Sequence, residues 1–70
     1  MPGEYPSEYV ARVIRERITS GELRPGQKLE ATHVLADQFG CSQASVSRAV
    51  RTLASEGLLI TRRRYGVWVA

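Results

Sequence analysis

Seventy residues admit one small domain, and a chain of this length buries only roughly 60% of its unfolded surface on folding. Apolar residues make up 43% and charged residues 24%, which excludes a disordered tail, and no apolar run approaches the ~20 residues of a membrane helix. The net charge of +3 is unevenly placed: residues 1–40 carry five basic against six acidic groups, whereas residues 41–70 carry Arg48, Arg51, Arg62, Arg63 and Arg64 against Glu56 alone.

Nine of the ten basic groups are arginine, the side chain whose planar fork suits phosphates and guanine edges, so the basic C-terminal half points to nucleic acid. The single cysteine, Cys41, excludes an internal disulfide. One cysteine and one histidine offer no zinc-site spacing. The N-terminal residues have neither the basic nor the apolar stretch of a signal peptide, and a cytosolic location is expected. No carboxylate pair, nucleophile–base pair or metal cluster is spaced for catalysis, so no enzyme activity and no cofactor are expected.

Pro2, Gly3 and Pro6 mark residues 1–6 as a flexible lead-in, and residues 7–70 as the folded domain. Ser7 is the expected N-cap of a first helix over about 7–20, with Glu8 suited to the first turn. Val10, Ile14 and Ile18 recur at i, i+4 and i+8, with Tyr9 and Val13 widening the apolar stripe. Gly21 stops this helix. Arg12, Arg15 and Arg17 are expected on its solvated face.

In the connector that follows, Pro25-Gly26 fits the two central positions of a type II turn. Residues 27–29 read as a very short extended piece. Thr32 is the expected N-cap of a second helix, about 32–39, which Gly40 ends. Ser42 caps a third, about 43–56, with Val46, Ala49, Val50 and Leu53 apolar at i, i+3, i+4 and i+7. Two short helices joined across Gly40-Cys41-Ser42 make a helix-turn-helix.

After Gly57 the pattern changes to two β-rich runs, Leu58-Leu59-Ile60-Thr61 and Val67-Trp68-Val69. A hairpin over about 58–69 places Arg62, Arg63 and Arg64 at its tip, where like charges repel unless a polyanion lies opposite. The fold class is therefore mainly α with a small β-hairpin (α+β): a winged helix-turn-helix of three helices and a two-stranded wing. Tyr9, Phe39 and Trp68 are expected in the core, and Cys41 as a small turn residue.

The sequence closely resembles the GntR family. Ile18-Thr-Ser-Gly-Glu-Leu-Arg-Pro-Gly-Gln-Lys-Leu29 is similar to that family's I-x-x-G-x-L-x-P-G-x-x-L signature, and Leu35-Ala36 and Phe39-Gly40 continue it. Ser42-Gln-Ala-Ser-Val46, Ala49-Val50, Leu53 and Glu56-Gly57-Leu58-Leu59 resemble its recognition-helix segment, and Gly66-Val-Trp-Val69 the end of its wing. The resemblance spans residues 8–69 and implies the DNA-binding domain of a bacterial transcription regulator, with double-stranded operator DNA as partner. It also implies a larger effector-binding and dimerising domain following this one. The chain stops one residue after the wing, as either an excised piece or a free-standing mini-regulator would. A homodimer, formed on DNA or through such an absent C-terminal domain, is the further partner implied.

Several positions depart from the family pattern. Pro-Ser-Glu-Arg usually follows the signature leucine, where this chain has Glu30, Ala31, Thr32 and His33. Ser42-Gln43 stands for the usual Ser-Arg, Ser47 for a frequent arginine, and Arg63, Arg64 and Tyr65 for a glycine-rich wing tip. The operator bases preferred by the family therefore do not transfer to this chain.

In this reading the third helix enters the major groove and the wing meets phosphates and the minor groove. Gln43 is a base reader whose amide suits adenine, and Ala44 is placed to meet a thymine methyl. Ser45, Ser47 and Arg48 lie on the exposed arc, Arg48 contacting base or phosphate and Arg51 the backbone. Ser42 and the helix amides contact phosphate, and so does His33 at the start of the second helix. In the wing, Arg62, Arg63 and Arg64 reach the minor groove or its flanking phosphates, with Tyr65 and Gly66 beside them. Two rivals use the same surface: an architectural or recombination factor of a mobile element, and a protein-interaction module.

Overall fold

The computed structural model describes residues 4–70 as three helices followed by a hairpin: α1 (Pro6–Thr19), α2 (Thr32–Phe39), α3 (Gln43–Ser55), β1 (Leu59–Arg62) and β2 (Gly66–Val69). The winged helix-turn-helix expected from the sequence is the fold observed. None of the helices is long and apolar enough to cross a membrane among the described residues.

The first helix begins one residue before the expected start, and its cap differs. Tyr5, not Ser7, is the N-cap; Pro6 takes the first helical position, where its missing N–H costs nothing and its fixed φ is already helical. Glu8 reaches back to the Tyr5 amide at 3.0 Å, and Ser7 is buried inside the first turn. Of the proposed lead-in, residues 1–3 lie outside the described residues, while Glu4 is tied to α1 by Arg12 at 3.1 Å.

The second helix also starts without its expected cap. Thr32 is its first helical residue and Ala31 the N-cap, which provides no side-chain acceptor. The Ala31 carbonyl already accepts from the Val34 and Leu35 amides at 3.0 Å, so with Leu35 and Ala36 buried the helix spans the expected 32–39 and its cap falls at Ala31. At the other end Gly40 adopts φ +67°, the left-handed conformation that stops the helix. Ser42 caps α3 as expected, its Oγ accepting from the Ser45 amide at 3.1 Å.

The core sits where the inward faces of the helices meet. Val46, Ala49, Val50 and Leu53 of α3 bury against Val10, Ala11 and Ile14 of α1, Leu35 and Ala36 of α2, and Leu29, Leu59 and Val69. Tyr9 does not join them. It is 44% exposed, because Val10, Ala11 and Ile14 set the inward direction of α1 and leave Tyr9 at the edge, its ring packed edge-on to the half-buried Phe39 at 6.0 Å. Trp68 is half-buried rather than central.

The connector lies against the two-stranded wing through a single bridge. Arg24 O accepts from the Gln27 amide at 3.0 Å around Pro25-Gly26, with Gly26 at φ +87°, the expected type II turn. Lys28 then bridges antiparallel to Trp68, while β1 pairs with the other edge of β2, Leu59 opposite Val69 and Arg62 opposite Gly66. Arg62 is thus a strand residue, and only Arg63, Arg64 and Tyr65 form the tip.

Candidate nucleic-acid interface

The buried stripe of α3 dictates what its other face offers. With Val46, Ala49, Val50 and Leu53 turned inward, Gln43, Ala44, Ser47, Arg48 and Arg51 are all exposed. They recur at i, i+1, i+4, i+5 and i+8, which gathers them on one arc opposite the core. Ser45 stands off this arc. It is half-buried, its Oγ receiving a hydrogen bond from Ser42 at 3.0 Å, so both hydroxyls are engaged at the helix start.

Apart from Arg24 in the connector, which has no carboxylate within ion-pair distance among the described residues, the arginines divide into two populations. Those of α1 have carboxylate partners: Arg12 with Glu4 and Glu16, Arg15 with Glu56, Arg17 with Glu22. Arg12 also lies over the Tyr9 ring at 5.2 Å and Arg17 over Phe39 at 5.7 Å. Among the described residues, Arg48, Arg51, Arg62, Arg63 and Arg64 have no carboxylate within ion-pair distance. The charge asymmetry of the sequence is therefore sharper in the fold. The one acid of the C-terminal half, Glu56, is held by an arginine of α1, leaving the five C-terminal cations unneutralised.

A groove of about 780 Å³ runs between the wing and the start of α2, lined by residues 28–32 on one side and 61–67 on the other. It brings Arg62, Arg63, Arg64, Tyr65 and Gly66 together with Ala31 and Thr32, whose helix start carries neither a side-chain cap nor an acid in its first turn. Glu30, the only acid lining it, accepts from Gln38 Nε2 at 2.9 Å. His33 is exposed next along the helix but is not part of the lining.

The tip carries one unusual conformation. The Tyr65 amide donates to Arg62 O at 3.0 Å, closing a turn whose third residue, Arg64, has φ +75°. That is the glycine position of a type II turn, occupied here by a long cationic side chain. Lys28 was not foreseen at this face. A lone lysine in a connector carries no local signal, and only the long-range pairing with Trp68 places it in the groove. Among the described residues no group of three or more His, Cys, Asp and Glu side chains converges as a metal site would require.

Comparison with known proteins agrees with this architecture. Residues 6–69 match the family of bacterial regulatory proteins described as the gntR family. The chain is 40% identical over 63 residues to the histidine utilization repressor of Klebsiella aerogenes, covering 90% of this chain and 26% of that protein. It is 37% identical over 60 residues to the Escherichia coli mannosyl-D-glycerate transport/metabolism system repressor, covering 86% and 25%. The chain thus spans about a quarter of the length of these curated relatives. Among solved structures, the DNA-binding domain of AraR in complex with operator ORX1 superposes with a TM-score of 0.90 at 32% identity, covering 94% of this chain and 80% of that one. YtrA from Sulfolobus acidocaldarius, a GntR-family transcription factor, has a TM-score of 0.81 at 33% identity, covering 91% and 68%. With the family matched across nearly the whole chain and the winged fold shared, the chain belongs to the gntR family of bacterial regulatory proteins.

Proposed function

We propose that this domain binds double-stranded DNA sequence-specifically, as the operator-reading part of a bacterial transcription regulator that acts as a repressor in the cytoplasm, on the nucleoid. The observation that carries this reading is the division of the arginines: paired on α1, unpaired on α3 and the wing. Unneutralised cations along one face suit a polyanion, and association through them releases counterions. The relatives described as repressors and the AraR domain solved with an operator support the same assignment.

The roles follow from placement. The exposed arc of α3 lies in the major groove, with Gln43 and Arg48 reading base edges, Ala44 against a thymine methyl, and Ser47 and Arg51 toward the backbone. Ser42, Ser45 and His33 sit at helix starts, where amides and short polar side chains meet phosphate. Arg62, Arg63, Arg64 and Tyr65 of the wing engage phosphates and the minor groove. A protein partner would need apolar or aromatic anchors on the α3 arc, and Gln43, Ser47, Arg48 and Arg51 provide none.

Selection of bound duplexes from a random pool tests the reading. Enrichment of one short motif is the expected result. Uniform recovery of all sequences would reduce the domain to a general DNA-coating or architectural role.

A further inference from the structure

Lys28 is the only lysine of the chain, and its placement is determined at three points. Its backbone forms the bridge to Trp68, bracketed by Leu29 N donating to Val67 O and Val69 N donating to Gln27 O, each at 2.8 Å. Its Nζ lies 5.4 Å from the centre of the Trp68 ring. Its Cε passes 2.6 Å from where a β-carbon on residue 66 would stand, so the lysine end packs directly against the glycine and would shift if that residue carried a side chain.

These contacts make a slot. Lys28 is exposed, but its ammonium over the indole and its tail against Gly66 narrow the rotamers it samples. Its ammonium has no carboxylate within ion-pair distance among the described residues. The slot opens on the groove between the wing and the start of α2, the same groove that Arg62, Arg63 and Arg64 line. It therefore holds a compact, unneutralised cation in the groove that the tip arginines line, but on the bridge to β2 rather than on the turn.

We infer that Lys28 is a positioned contact for the DNA backbone, with Gly66 and Trp68 as the positioning residues that aim its ammonium at a phosphate of the strand lying in that groove. The inference rests on the reading that this face meets DNA. Gly66 takes φ +133°, a conformation open to glycine, and the end of the Lys28 side chain packs against it. A backbone contact adds affinity on every sequence and specificity on none.

The test measures affinity for a selected duplex and a scrambled one across a salt series, for the wild-type chain and for Lys28→Met, Lys28→Arg, Gly66→Ala and Arg63→Ala. Met keeps an apolar stem over the indole and removes only the charge. Lys28→Met should make the slope of log K against log salt shallower by about 0.9, with equal loss on both duplexes. Its deficit relative to wild type should shrink about 3.5-fold between 50 and 200 mM salt, the fourfold change raised to that slope. Lys28→Arg should restore the slope, since Arg also stacks on indole. Gly66→Ala moves the ammonium without removing it and strains a backbone at φ +133°. It should therefore weaken binding to both duplexes with a smaller change of slope than Lys28→Met, and lower the melting temperature.

If Lys28→Met binds with the wild-type slope while Arg63→Ala loses slope, Lys28 is not a phosphate contact and the inference falls, although the face still meets DNA. A lowered melting temperature in Lys28→Met with an unchanged slope would make Lys28 a prop for Trp68 and would also overturn it. A wild-type slope shallower than about −2 would overturn the DNA-facing reading as a whole, and Lys28 with it.

Discussion

Arg15 and Glu56 stand forty-one positions apart, and Arg15 donates to both carboxylate oxygens of Glu56, from Nε at 2.9 Å and from Nη2 at 2.8 Å. The fork ties the middle of α1 to the C-cap of α3 and pairs the lone acid of the C-terminal half with an arginine outside that half. The hydrogen bonds from Arg15 hold the Glu56 carboxyl below its ordinary value of 4.5. A carboxyl lowered in the folded state stabilises the fold above its unfolded value, and that contribution is lost as pH falls through the folded one. Glu56→Gln should therefore melt below wild type near neutral pH, and the gap should close under acid conditions that protonate Glu56. Thermal melting as a function of pH checks this; a gap that persisted unchanged in acid would mean the pair contributes nothing through charge.

The cap of α3 separates folding from binding. Ser42 Oγ satisfies the Ser45 amide, and Ser42→Ala should cost ~1 kcal/mol of stability. Ser42→Asp keeps an acceptor there and suits the helix dipole, so its melting temperature should stay near wild type. Its negative charge would face phosphate, so duplex affinity should fall. Melting and affinity measured on both variants check the two halves independently.

Arg64 holds a left-handed conformation that an L side chain adopts at a cost of roughly 1–2 kcal/mol. Arg64→Gly should relieve that strain and raise the melting temperature by a few degrees, while removing one cation from the groove. Arg64→Ala keeps the strain and should melt as wild type does. Both should weaken DNA binding alike, which dissociates the stability of the wing from its charge. Melting without DNA and binding at fixed salt check the pair.

Much of this fold is legible because local chemistry and the core agree. The turn at Pro25-Gly26, the stop at Gly40, the Ser42 cap and the α3 stripe each have a local cause that the tertiary structure leaves in place. The misses occur where packing overrides a local preference. Ser7 and Thr32 are good caps by type, yet with Pro6 at the first helical position and Leu35 and Ala36 buried the caps fall at Tyr5 and Ala31. Tyr9 borders the α1 stripe in sequence, yet the smaller Ala11 is the neighbour that turns inward, at 5% exposure. Of the face proposed for DNA, the α3 arc follows from periodicity. The Lys28–Gly66–Trp68 slot does not, because its parts meet only through sheet pairing about forty residues apart in sequence.

That α3 reads bases while the wing holds the backbone is decided by one paired measurement. Gln43→Ala and the triple variant Arg62→Ala/Arg63→Ala/Arg64→Ala are each titrated against a selected duplex and its scrambled counterpart across a salt series. All four side chains are exposed and outside the core, so both variants remain folded. Gln43→Ala should lose ~1–3 kcal/mol on the selected duplex alone, relaxing preference at one base position. The triple variant should weaken both duplexes equally and flatten the salt slope by up to ~2.7, at ~0.9 per phosphate contact. If the triple variant lost discrimination between the duplexes while Gln43→Ala lost only general affinity, helix and wing would have exchanged roles and the account would be contradicted.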